Sequence, residues 1–180
     1  MRKLAPALYA HDCADIFGRV LRDGFAMPAG AVATVVFSAL SITTTDPSQL
    51  RVVQRVPHFD SSAANELAVV HYLCGPEHGG TSFYRHRKTH FESINSDRLK
   101  LYADTLKEEV ITQHPPPAKY IDGNTPLFER IGSFEARFNR ALIYPSNVLH
   151  SGDIRQVLPQ CTQPRTARLT ANMLIRFAAQ

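Results

Sequence analysis

The sequence predicts a mainly β fold, a sandwich or a jelly roll, in a single domain over residues 1–180. Two observations carry this prediction. Short stretches rich in Val, Ile, Thr and aromatic residues recur along most of the chain, which is typical of strands. Gly, Pro, Asp and Asn separate these stretches at the short intervals that an all-β architecture needs. A hydrophobic content of 44% in 180 residues is enough for one buried core.

The first predicted element is a helix over residues 12–22. Asp12 can cap its N-terminus, and its apolar residues follow helical spacing. They share one face, which predicts packing against the core: Ile16, Phe17, Val20 and Leu21.

Seven stretches predict strands. The stretch 31–45 is uncharged and rich in Val, Thr and Ile, so it predicts one or two buried strands. The other six are 51–56, 66–73, 81–85, 127–134, 141–144 and 168–177. Turns are predicted at 75–76, 79–80, 122–124 and 151–153.

A second helix is predicted over 96–113, with Ser96 or Asp97 as its cap. Its apolar face at helical spacing is formed by Leu99, Tyr102, Leu106 and Val110. The helix ends before the three prolines at 115–117, which predict an extended surface loop.

Charge and cysteine content exclude several classes of protein. The net charge is +4, but Lys and Arg are scattered and form no stripe that could follow a phosphate backbone, so no nucleic-acid partner is expected. Cys13, Cys74 and Cys161 lack a CxxC pair, which favours a reducing, cytoplasmic environment. No stretch has the length and apolarity of a signal peptide or membrane span. The short distance from Met1 to the first helix leaves open whether the N-terminus is complete.

A candidate metal-binding pair follows the predicted strand at 51–56. In extended backbone, residues two apart point to the same side, so the side chains of His58 and Asp60 can converge on one point. The triplet alone is weak evidence, because a surface His and Asp at a strand end give the same pattern.

The second half of the chain supplies partners for this pair. His150 follows a buried-looking strand and a Pro turn, and an imidazole there needs a polar partner. Arg168 and Thr170 open the last strand on one face. A guanidinium beside a hydroxyl is suited to binding a carboxylate.

Together these features resemble the Fe(II)- and 2-oxoglutarate-dependent oxygenases built on the double-stranded β-helix. The shared pattern is His-x-Asp, a distant His, and Arg-x-Thr at the start of the final strand. Tyr72 near a strand end and the run GGTSFY at 79–84 resemble the prolyl-hydroxylase-like branch.

Two phrases resemble a bacterial group of oxygenase-like proteins without a known substrate. They are QRVPHFD at 54–60 and FNR at 138–140. The resemblance covers about 51–177 and is poorest at 85–120.

The resemblance implies a cupin-like double-stranded β-helix with its core at about 31–178 and flanking α-helices. The residues implied as Fe(II) ligands are His58, Asp60 and His150. The residues implied for 2-oxoglutarate are Arg168, as the partner of its distal carboxylate, and Tyr72 and Thr170, as hydrogen-bonding groups. Two imidazoles and one carboxylate leave three iron positions, two for the keto acid and one for O2. The implied activity is that of a 2-oxoglutarate-dependent dioxygenase.

Several alternatives remain open at this stage. His86 and His90 could form a helical metal pair, but their surroundings favour a strand. Asp153 is a rival carboxylate near His150, and Arg176 is a rival for Arg168. A metal-binding cupin-like protein that ignores 2-oxoglutarate would keep the triad, and a non-catalytic jelly-roll binding module would need no metal.

The expected partner is a small-molecule or an amino-acid or peptide substrate, of unknown identity. The divergent segment 85–120 is expected to form a lid that selects it. The oligomeric state stays open, with a dimer as one alternative.

Overall fold

The computed structural model describes residues 1–155, 157, 163 and 166–179. Within this part the protein is mainly β, with two antiparallel sheets and few helices. The strands are β1 (Arg2–Leu4), β2 (Val32–Ile42), β3 (Glu66–Tyr72), β4 (Gly79–His86), β5 (Phe128–Glu135), β6 (Ala141–Pro145), β7 (His150–Ile154) and β8 (Leu169–Ala178). The α-helices are α1 (Ala7–Gly24) and α2 (Ser96–Thr112), and three single-turn 3-10 helices are Pro47–Gln49, Val52–Gln54 and Pro76–His78. Neither α1 nor α2 has the length and apolarity needed to cross a membrane.

The two sheets have the strand orders β1-β2-β8-β3-β6 and β5-β4-β7. Several pairings are nested, because β2 pairs with β8, β3 with β6 and β4 with β5. Between the first two of these pairs, His58 and His150 form an isolated antiparallel bridge, which brings the chain after the 3-10 helix Val52–Gln54 against β7. Nested pairing places chain segments that are far apart in sequence side by side.

Strand β8 separates an apolar layer from a polar one. Alternate residues of a strand point to opposite sides of its sheet. Met173, Ile175 and Phe177 pack in a cluster with residues of α1. Thr170 and Asn172 point to the other side and line a cavity that β7 also borders. The sheet is therefore covered by a helix on one side and open to a polar site on the other.

Helix α1 confirms the predicted N-terminal helix but not its start or its buried face. It begins at Ala7, so Asp12 is not its cap. Leu21 is buried, whereas Ile16 and Val20 are exposed. The residues partly buried against the sheet include Tyr9 and Cys13. The side chain of Phe17 and all of Cys161 lie outside the described residues.

The second predicted helix is confirmed as α2, with a different cap. The side chain of Asn95, rather than that of Ser96 or Asp97, accepts a hydrogen bond from the backbone N–H of Arg98 at 3.1 Å. Tyr102 is buried, and Leu106 and Val110 pack against the same cluster, but Leu99 is exposed.

Helix α2 is also tied to β4 by a buried polar contact. Nε2 of His86 lies 2.8 Å from Oε2 of Glu109, with both side chains inaccessible or nearly so. The segment 85–120 is thus packed into the protein, and Tyr120 is its one residue in the lining of the cavity.

One predicted strand and two predicted turns are wrong. Residues 51–56 contain a 3-10 helix instead of a strand, because the Gln54 side chain accepts a hydrogen bond from the backbone N–H of Arg51 at 3.0 Å and closes a local turn. Residues 151–153 lie in β7 instead of a turn. Across the sheet, Ser82 and Ser133 donate to Oδ2 of Asp153 at 2.7 and 3.0 Å.

The predicted turn at 79–80 is the start of β4, and its glycines are required by close packing. Gly79 has φ of +106°, which favours glycine. A Cβ on Gly80 would lie 2.2 Å from the carbonyl oxygen of Phe134 on β5. β1, only three residues long, was not predicted.

Replacing Gly80 by Ala should destabilise the protein by about 1–3 kcal/mol, the usual cost of overpacking a close-packed interior. The control is Gly24→Ala, because a Cβ there meets nothing within 4 Å and should leave stability unchanged or slightly raised. Urea denaturation of both variants measures the difference. Equal stability of the two variants would contradict the close approach of β4 and β5.

Candidate metal centre

The centre is built on backbone pairing between His58 and His150. The N–H of His58 donates to the carbonyl of His150 at 2.9 Å, and the reverse bond is 2.8 Å. The two imidazole rings therefore lie side by side, with centroids 4.4 Å apart. This places two predicted ligands from distant parts of the chain at one point.

Asp60 completes the cluster. Its backbone N–H donates to the carbonyl of Ser146 at 2.9 Å, which holds the residue beside the turn between β6 and β7. Its carboxylate oxygens lie 3.6 Å from Nε2 of His150 and 4.0 Å from Nε2 of His58. All three ligand atoms fall within 4.8 Å of one another. Adjacent ligands of a metal with bonds of about 2.1 Å lie about 3 Å apart, so small side-chain movements would close the site on an ion.

The hydrogen bonding of His150 suits metal binding. Its Nδ1 lies 3.0 Å from the carbonyl oxygen of Val148, which can only accept, so Nδ1 carries the proton. Nε2, on the cavity side, is then left with its lone pair. A backbone carbonyl, rather than a side chain, therefore orients this ligand.

Burial tunes the protonation of the cluster toward neutral imidazoles. It lowers the pKa of His58 to about 4, with the neighbouring His150 acting in the same direction and Asp60 opposing it. It also lowers the pKa of His150. Burial raises the pKa of the Asp60 carboxyl, against the attraction of His58 and Arg2. Although the His58 side chain is 54% exposed, it lines the cavity, so the effect of the surrounding protein dominates.

A cavity of about 680 Å³ joins the metal cluster to Arg168. Arg168 is buried, and its Nη2 donates to the carbonyl of Gly80 at 2.8 Å. Its Nε has no hydrogen-bond partner, and no carboxylate of the described residues lies within ion-pair distance. Burial lowers the pKa of Arg168, yet a guanidinium stays charged at neutral pH. The cavity therefore holds a buried cation that needs an anion.

A glycine of β7 lies beside this cation. A Cβ at Gly152 would meet Cδ1 of Ile154 at 3.1 Å and Nη2 of Arg168 at 3.4 Å, the second an ordinary contact. The predicted turn residue Gly152 thus borders the Arg168 side chain from within β7.

The structure separates the other two predicted cosubstrate residues. Thr170 lines the cavity with Arg168. Tyr72 does not, because its hydroxyl donates to Thr81 at 2.6 Å and its ring lies 5.9 Å from the Arg168 guanidinium carbon. Tyr72 therefore lies next to Arg168 but outside the lining of the cavity.

Tyr144 is a cavity residue that the sequence did not indicate. Its buried hydroxyl has no hydrogen-bond partner among the described residues. Its ring packs against His150, with centroids 4.8 Å apart, and burial raises its pKa well above the usual value. Its strand, β6, has the apolar sequence typical of a core strand. The position of Tyr144 in the cavity therefore follows only from the pairing of β6 with β3.

The rival residues lie elsewhere. Asp153 is engaged by Ser82 and Ser133 outside the cavity lining. His86 contacts Glu109 in the core. Arg176 is ion-paired with Glu66 at 2.6 Å.

The chain belongs to the family DUF6445, described as a family of unknown function, whose sequence profile matches residues 1–175. Neither a comparison with curated proteins nor one with solved structures gives a match. The family description assigns no activity to its members.

The cluster should bind divalent metal ions. Mutation of a residue that only orients a metal ligand typically weakens metal binding by about 10–100-fold. Replacing Asp60 by Ala removes a ligand itself and should therefore weaken binding of Mn(II) by more than this. Anaerobic calorimetric titration measures the affinity. Asp153→Asn is the control and should bind as the wild type does. Loss of binding in Asp153→Asn with retention in Asp60→Ala would reverse the assignment.

The low pKa of His58 should make the metal-free protein less stable in acid. The folded state favours the neutral ring, whereas the unfolded ring titrates near pH 6.5, so this contribution is lost as the pH falls from about 6.5 to about 4. Asp60, with its raised pKa, acts in the opposite sense. His58→Asn should therefore flatten the decline in unfolding free energy measured by urea denaturation. An identical pH profile in His58→Asn would exclude the effect.

Proposed function

We propose that this protein is an Fe(II)- and 2-oxoglutarate-dependent dioxygenase. The observation that carries the proposal is that one cavity holds both a His-Asp-His cluster and a buried Arg168 without a carboxylate partner. A metal-binding protein without an anionic cosubstrate would have no use for such a cation, whose burial is costly unless it is paired.

We further propose that the two sheets form a double-stranded β-helix, the cupin-like jelly roll. Support comes from the nested pairing of β2 with β8, of the His58 bridge with β7, of β3 with β6 and of β4 with β5. A long antiparallel hairpin that rolls up gives this order. In a double-stranded β-helix, one strand would pair with β7. Here the segment at His58 lies in that position and pairs with β7 through a single bridge.

The metal would be held by His58, Asp60 and His150. Two imidazoles and one carboxylate on one side are the donor set of non-haem Fe(II) oxygenases. When bound, iron would supply the activation of O2 that converts 2-oxoglutarate to succinate and CO2, with one oxygen atom entering succinate and the other the substrate. The protein itself orients the ligands, through the carbonyl of Val148 at His150 and that of Ser146 at Asp60.

Arg168 would bind the distal carboxylate of 2-oxoglutarate. Its unpartnered Nε and its place in the cavity wall leave donors for two oxygen atoms. Thr170 offers a hydroxyl on the same wall, and the free hydroxyl of Tyr144 lies in the lining near the metal cluster. Tyr144 thus takes over the hydrogen-bonding role expected of Tyr72, which is occupied by Thr81.

The substrate in this proposal is a small molecule or an amino-acid side chain, and the protein works in the reducing cytoplasm, where Fe(II) persists. Cys13 and Cys74 are free cysteines, in agreement with a reducing environment. The cavity wall around the metal is supplied by 41–45, by 53–54 and by Tyr120, so these residues, more than the rest of 85–120, would select the substrate.

Anaerobic addition of Fe(II) and 2-oxoglutarate should produce the weak visible charge-transfer band of a keto acid bound to ferrous iron. Arg168→Met should still bind Fe(II) but lose the band at 2-oxoglutarate concentrations that saturate the wild type, because a charged hydrogen-bonding partner worth about 1.5–3 kcal/mol is missing. Visible absorption in an anaerobic cell measures both effects.

The matched control is Arg176→Met, which removes an Arg from the same strand but outside the site, where it pairs with Glu66. It should retain the band and the release of succinate in air. An iron-loaded wild-type protein without a band would leave a metal-binding cupin-like protein as the better description, and a protein without iron affinity would leave a binding module.

A further inference from the structure

We propose that the substrate of this site is an organic acid whose carboxylate is bound by Arg2 at the mouth of the cavity. The claim that the ligand is a substrate rests on the proposed oxygenase function. The claim that Arg2 forms an anion-binding subsite rests on the cavity alone.

Arg2 reaches the cavity from an unexpected element. It lies on β1, which pairs with β2 so that Arg2 stands opposite Ser41. Its side chain lines the same cavity as His58 and Asp60. Lys3, the next residue of β1, is absent from that lining because neighbouring residues of a strand face opposite sides.

The guanidinium of Arg2 is held in place by the cavity wall. Its Nε donates to Oγ of Ser41 at 3.2 Å, and its Cζ lies 5.5 Å from the centre of the Phe37 ring. Asn172 donates to the same Ser41 oxygen at 3.0 Å and to Oγ1 of Thr170 at 3.1 Å. A polar chain thus runs along the wall from the Arg2 side chain to the Arg168 end of the cavity.

This arrangement leaves the two terminal nitrogens of Arg2 for a ligand. Nε and one face of the guanidinium are occupied, and within the described residues no acceptor for Nη1 or Nη2 and no ion-pair partner of Arg2 is found. Two parallel N–H groups match the two oxygens of a carboxylate. An arginine positioned in this way binds with less loss of side-chain freedom than a free surface arginine.

Charge balance favours an acid over a neutral substrate. Asp60 is the one carboxylate in the described lining, and the cations are Arg2, Arg168 and the N-terminal ammonium of Met1. A bound dication, the Asp60 carboxylate, Arg168 and dianionic 2-oxoglutarate together are neutral. Arg2 and the Met1 ammonium then leave an excess of positive charge, which a carboxylate substrate lowers.

The size and polarity of the cavity suit a small acid. A volume of about 680 Å³ lies within the range of about 300–1,000 Å³ typical of small-molecule sites, which leaves space beside the cosubstrate. Three hydroxyl side chains of the loop after β2 belong to residues that line the cavity: Thr43, Thr44 and Thr45. The substrate therefore combines a carboxylate with polar groups.

The subsite is tested with 4-fluorobenzoate and, as its neutral counterpart, 4-fluorobenzamide, with binding followed by fluorine NMR. In an Arg168→Met background the acid cannot be held by Arg168. There the acid should bind at least about tenfold more tightly than the amide, a preference that Arg2→Met removes and Arg2→Lys partly retains. Lys3→Met is the matched control, with the same loss of charge on the same strand, and should keep the preference. Arg168→Gln, which also removes the charge but keeps a side chain able to donate to the Gly80 carbonyl, is the second background for the case that Arg168→Met lowers stability.

A preference for the acid that survives Arg2→Met would overturn the proposal. So would equal binding of the acid and the amide, or no binding of either, to the wild type. The experiment needs no iron and no turnover, so it can fail while the charge-transfer band is present, and the band can be missing while the Arg2 subsite is intact.

Discussion

The functional part of this protein depends on one short contact, the pair of backbone hydrogen bonds between His58 and His150. The segment around His58 does not form a regular strand, so no long ladder fixes its register. Two bonds of 2.9 and 2.8 Å, and the bond from the Asp60 N–H to Ser146, do so instead. Since backbone groups in a protein interior must be paired, a shift of one residue would leave several unpaired and would turn both side chains away.

The second constraint is electrostatic. A buried guanidinium such as Arg168 is costly without compensation, and its one described hydrogen bond, to Gly80, satisfies it only in part. Gly152 lies in contact distance of the guanidinium, and Gly79 and Gly80 allow β4 to lie close to its neighbours. Such a site gives up some stability in the free protein, and a bound anion would restore it.

These two constraints also explain why the two sides of the five-stranded sheet differ in polarity. The outer side of the five-stranded sheet packs α1 through apolar side chains such as Ile175 and Phe177, which stabilise the fold. Its inner side carries Thr170 and Asn172 and connects them by hydrogen bonds to Ser41. The alternation along β8 therefore keeps a polar site in an otherwise apolar strand without exposing the core.

The sequence alone determined the β-rich class, the two helices and the residues of the possible metal cluster, because residues two apart in extended backbone share a side and His58 and Asp60 have this spacing. It also placed Arg168 and Thr170 on one face. Tertiary structure decided the rest. Pairing between segments far apart in the chain decided three features. It made 151–153 a strand instead of a turn, it brought Tyr144 and not Tyr72 to the cavity, and it placed Arg2 at the cavity wall. Local propensity carries no information on such pairing, since a side chain's partner is set by sheet register and not by its neighbours in sequence.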